Sequence, residues 1–73
     1  MNNYEVIYYH EEDAKSEYVS MGICQGIRSA RKLAYETYNK ESKFSDIIVE
    51  ILNNAKYTIE TISYRTVYGE ELA

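Results

Sequence analysis

The only histidine of the chain, His10, is followed at once by Glu11, Glu12 and Asp13. An imidazole beside carboxylates suggests metal ligation or proton transfer. The spacing argues against both. Zinc sites draw on His and Cys positions that are separated in sequence and converge in space, and no second His is present. A calcium loop alternates oxygen ligands around a central Gly, and residues 10–17 contain neither the alternation nor the Gly. A solvated acidic loop is the simpler reading, and no metal or cofactor is expected.

Cys24 is the single cysteine. It excludes an internal disulfide framework and suits a reducing cytoplasm. Its place at the start of a helix would favour an activated thiol, but a nucleophile needs a base, and a small buried apolar Cys is the commoner role. Paired carboxylates for acid–base work would have to come from Asp46, Glu50 or Glu60. Glu50 and Glu60 facing each other across a hairpin would repel, so Lys56 or Arg65 is the expected neighbour. No glycine-rich phosphate loop, nucleophile elbow or metal-binding helix motif occurs. The chain is expected not to be an enzyme.

Binding surfaces are better represented. The formal net charge is -4, yet Arg28, Arg31, Lys32, Lys40 and Lys43 crowd into residues 28–43 against only Glu36 and Glu41. A basic patch beside exposed tyrosines would suit a nucleic-acid backbone and its bases, and Arg28, Arg31 and Lys32 at a helix start would reinforce an anion site. The sequence pI of about 4.9 opposes that reading. The acidic remainder points instead to a basic protein partner. Glu11, Glu12, Asp13 and Glu17, with Glu70 and Glu71 in the tail, would place carboxylates where phosphates lie on a nucleic acid. Tyr64, Arg65 and Tyr68 are residue types enriched at interface hot spots, and a free last strand would pair with a partner or a second copy.

These residues need a scaffold, and the hydrophobic pattern supplies one. Ile27, Ala30, Leu33, Ala34 and Tyr38 recur at three- and four-residue steps, which predicts an amphipathic helix over 26–40 capped by Gly26 or Ser29. Before it, Tyr4–Tyr9 and Tyr18–Cys24 read as a strand pair joined by a polar loop. Val19, Met21 and Ile23 are expected on the buried face. After it, Phe44 is expected to pack back on the core, and Asp46–Leu52 reads as a central strand apolar on both faces. Asn53-Asn54 marks a turn into a long last strand over 56–67, with a bulge near Thr61 that lets Ile59 and Ile62 both face inward. Gly69–Ala73 reads as an acidic tail.

The order predicts one α+β domain over residues 1–73, ββαββ, with a four-stranded mainly antiparallel sheet and one helix on one face. With 73 residues and no proline, such a domain buries little core, so a homodimer is expected. No apolar run is long enough to span a bilayer, and Met1-Asn2-Asn3 enters the first strand without a leader pattern. The nine tyrosines and the many Ile, Asn and Lys residues use AT-rich codons. Together these traits suit the general type of small cytoplasmic proteins that phages and mobile elements use to bind and inhibit a host defence or nucleic-acid-processing protein.

Overall fold

A computed structural model describes residues 2–69. The chain is an α+β fold in the expected ββαββ order: β1 (Asn3–His10), β2 (Val19–Gln25), α1 (Ile27–Glu41), β3 (Ile47–Leu52) and β4 (Thr58–Ile62). A 3-10 helix (Glu11–Glu17) joins the first two strands, and a short helix α2 (Tyr64–Tyr68) follows the last. The sheet runs β2-β1-β3-β4, and every pairing is antiparallel. Since β2 and β3 both oppose β1, they are parallel to each other with β1 between them. The helix spans that gap, a split β-α-β crossover.

Helix α1 forms where its period places small and apolar residues on one stripe. Ala30, Ala34 and Tyr38 are buried on it, and the two alanines let the helix sit close to the sheet. Val6 from β1 and Ile47, Val49 and Ile51 from β3 meet that stripe, with Ile62 from β4 beside them. Fully burying an aliphatic side chain contributes roughly 1.5–3 kcal/mol, so this one cluster supplies most of the apolar driving force. Gly26 caps the helix at φ 91°, a left-handed conformation that Gly adopts without Cβ strain. The first turn carries no acid, against the helix dipole. Arg28 is the cation of that turn, and Arg31 in the next turn has a structural use, because it reaches β4 and pairs with Glu60 at 2.6 Å.

The opposite face of the sheet is closed differently. Glu50 alternates with Val49 and Ile51 and therefore points away from α1, as do Ile7 and Tyr9. Ile7 is fully buried and Glu50 is only 7% exposed. The 3-10 segment lies over them, bringing Lys15 to within 2.7 Å of Glu50.

Five local expectations are corrected. The strand expected to run to Val67 stops at Ile62 because Ser63 and Thr66 form a capping box that starts α2. The bulge sits at Ile59, opposite the Ile51/Leu52 step, and not at Thr61, so Ile59 is exposed while Ile62 is buried. A second bulge at Met21 separates the pairs Ile7↔Ser20 and Val6↔Gly22. It puts Val19 and Ile23 on opposite sides of the sheet, and all three apolar residues of that expected face are exposed. Phe44 does not reach the core either; it is 79% exposed in the turn after α1. Finally, neither Glu50 nor Glu60 takes Lys56 or Arg65. Their partners are Lys15 and Arg31, and Lys56 binds Glu5. The edges of the sheet are β2 and β4, so the free last strand amounts to Thr58–Ile62.

The turn between β3 and β4 is organised by Asn53, whose Oδ1 accepts from the backbone of Ala55 and Tyr57. The left-handed residue there is Lys56, φ 69°, and not an asparagine. Among the described residues, no helix is long and apolar enough to cross a membrane.

Candidate functional site: an acidic and aromatic groove

At the end of the sheet where β1 finishes and β3 begins, the backbone N–H of Glu11 donates to the carbonyl of Asp46 at 3.0 Å. This bond adds a rung beyond the His10↔Ile47 pair and sets two acidic residues side by side. His10 ties the same corner from the other direction, its Nδ1 lying 2.6 Å from Ser45 Oγ. Glu11, Glu12, Ser45 and Asp46 line an open cleft of about 450 Å³.

A second hollow of about 290 Å³ shares Glu11 and Asp46 with the first and continues it toward the C-terminal end of α1. Its further lining is Tyr38 and Ser42 from the end of α1, Ile47 from β3, and Tyr64 and Tyr68 from α2. Four residues apart on one helix face, Tyr64 and Tyr68 pack with ring centroids 4.6 Å apart and planes tilted by 35°. The Ser63–Thr66 capping box orients this helix, and the Gly69 N–H closes it on the Arg65 carbonyl at 2.8 Å. Tyr38 is only 5% exposed. Its phenol is pushed up in pKa by burial first and then by Tyr68, Asp46 and Tyr64, with no hydrogen bond among the causes. Asp46 brings negative charge to the hollow, and the Tyr38 phenol stays protonated there.

The two groups of partner-binding residues expected from sequence therefore meet in part. Glu11, Glu12, Tyr64 and Tyr68 share the groove, although the acidic loop and the tyrosines lie at opposite ends of the chain. Asp13, Glu17 and Arg65 are exposed but do not line it. Glu70 and Glu71, with the rest of the expected tail after Gly69, lie outside the described residues. Asp46 and Tyr38 belong to the groove and were not expected there. Tyr38 fits the helix period so well that it reads as core alone, and Asp46 reads as the start of a strand.

No family model, curated protein or solved structure matches this chain.

The remaining candidates are less well furnished. Among the described residues, no three His, Cys, Asp or Glu side chains stand together as metal ligands. Cys24 pairs with Tyr4 and His10 closes the far end of the same strand, a separation of roughly 20 Å at strand rise that no direct proton transfer spans. In the basic first two turns of α1, Arg31 is already held by Glu60 at Nε and Nη2. Arg28 and Lys32 are exposed, and no other wall faces them to enclose an anion in the clefts described. The buried Glu50 network carries a strong polar cluster, yet its geometry is closed. Tyr9 donates to Oε2 at 2.5 Å, while Thr58 and Lys15 both reach Oε1 at 2.7 Å. Those three contacts, with Glu50 only 7% exposed, hold the 3-10 segment down and leave no open approach for a ligand.

Proposed function

We propose that this chain is a non-enzymatic interaction module that holds a basic segment of another protein in the groove between the 3-10 helix, the end of α1 and α2. The observation that carries this reading is the convergence of Glu11, Glu12 and Asp46 with Tyr38, Tyr64 and Tyr68 on one concave surface. Carboxylates draw a basic segment in and set its register. Aromatic rings with polar tips supply contact area at small entropic cost. A partner whose basic surface handles nucleic acid would be inhibited by occupancy, the groove carboxylates standing in for phosphates. The nucleic-acid alternative through Arg28, Arg31 and Lys32 is less well supported, because Arg31 serves the fold.

The test is capture from a bacterial lysate by the immobilised chain. Glu11→Ala with Asp46→Ala is expected to lose at least ten-fold of the captured protein, and Asp13→Ala with Glu17→Ala is expected to retain it. Circular dichroism confirms that each variant folds. Equal losses from the two pairs would show that the groove is not the contact surface.

A further inference from the structure

We propose that the hollow beneath Tyr64 and Tyr68 is a receptacle for a single arginine side chain of the partner, and that it prefers arginine to lysine. This deepens the groove reading above and rests on it. Three features of the hollow select a planar cation. The backbone bond between Glu11 and Asp46 places two carboxylate-bearing residues side by side at its rim, suited to the forked donors of a guanidinium. The Tyr64–Tyr68 pair turns aromatic surface toward the same space, and a guanidinium stacks on such a surface where an ammonium keeps its water. The third feature is independent of the rim: Tyr38, more than nine-tenths buried, lines the floor. A phenol oxygen can accept from an N–H donor that enters the hollow. At about 290 Å³ the hollow takes a side chain and not a helix, and the adjoining cleft with Glu12 and Ser45 leaves room for the flanking backbone.

The probes are two capped tripeptides, Gly-Arg-Gly and Gly-Lys-Gly, and a heptapeptide of alternating Arg and Ser. Each is titrated into the full ¹⁵N-labelled chain by NMR. The arginine tripeptide is expected to move the amides of Glu11, Ser42, Asp46 and Tyr68 saturably, about five-fold more tightly than the lysine tripeptide. Tyr68→Leu, which keeps bulk and removes the aromatic face, is expected to bring arginine down to the lysine level; Tyr64→Leu repeats the measurement should the first variant unfold. Asp46→Asn is expected to weaken both tripeptides. Equal affinities in the unaltered chain would overturn the arginine receptacle. So would tripeptides that leave these amides unmoved while the heptapeptide still binds at Glu11 and Glu12, an outcome that keeps the groove reading intact. A heptapeptide that binds nowhere near these residues would overturn both.

Discussion

On the helix side of the sheet, Val6, Val49 and Ile51 meet Ala30, Ala34 and Tyr38 with no charge in the cluster. On the other side, Ile7 and Leu52 share their cover with the Glu50 carboxylate, held by Tyr9, Thr58 and Lys15. The first closure is non-directional and scales with the area hidden from water. The second depends on bond geometry and protonation, and it exists because a seven-residue 3-10 segment is too short and too polar to bury a sheet face alone. One sheet thus has a face that specifies the fold and a face that positions a loop. That loop begins with Glu11, so the polar face also sets one wall of the groove.

The sharpest way to break the comparison is a cavity on the helix side. Ile51→Ala is expected to cost about 3–4 kcal/mol, a large part of the roughly 4–10 kcal/mol available to a domain of this size. Urea unfolding followed by circular dichroism would show a much lower midpoint. A loss under about 1 kcal/mol would mean that the helix-side cluster does not dominate.

A smaller effect, and one that depends on pH, is expected on the other face. Burial opposes ionisation of Glu50, but hydrogen bonds from Lys15, Tyr9 and Thr58 outweigh it, so its carboxyl titrates below the ordinary value of 4.5. A depressed folded pKa means that the network's contribution is complete above that value and disappears as the pH falls through the folded one. Tyr9 behaves in the opposite sense. Burial, then the bond to Glu50, pushes its phenol from 10.0 up to about 12. Its contribution is complete below pH 10 and is lost between there and 12. Lys15→Ala is expected to cost about 1–2 kcal/mol at neutral pH, the range for a charge-assisted bond reduced for a half-exposed lysine. Glu50→Gln should lose the acid limb that distinguishes the parent chain. Urea midpoints measured across pH test both, and identical acid limbs in the parent and Glu50→Gln would remove Glu50 from the account.

The smallest change restores uniformity to the helix side. Thr37 is buried on α1 with a hydroxyl that has no partner among the described residues. Thr37→Val is expected to raise stability by about 1 kcal/mol, or some 4–8 °C in melting temperature. A drop in melting temperature would show that a bound water satisfies the hydroxyl.

Much of the fold was legible because local rules and tertiary packing agree. The three- and four-residue steps from Ile27 to Tyr38 give α1 to within one residue at each end, and the doubly apolar Ile47–Leu52 is the buried strand its composition predicts. Errors arose where two local signals conflict. Tyr64-Arg65-Thr66-Val67 has strand-forming side chains, yet Ser63 and Thr66 satisfy the backbone as a helix start, and the capping geometry prevails. Val19, Met21 and Ile23 do alternate, but a one-residue bulge changes their parity, and its one cue in the sequence is Gly22, which lies beside the bulge at φ 123°. The groove was legible only by halves. Glu11 and Tyr68 were visible as separate clusters, whereas their meeting depends on β1 pairing with β3, a contact between distant parts of the chain. The pairing of Lys15 with Glu50 was hidden for the same reason.

The groove draws its walls from residues 11–12, 38–47 and 64–68, three stretches that come together only when β1, β3 and both helices are in place. An unfolded chain has no such site, so any occupant binds the native state alone and shifts the folding equilibrium by mass action. At a ligand concentration one hundred times its dissociation constant, the gain is about 2.7 kcal/mol. For a small domain that is a rise of roughly ten degrees or more in melting temperature. The protein therefore carries its own assay: its thermal transition reports a ligand of the native state with no label and no enzymatic turnover.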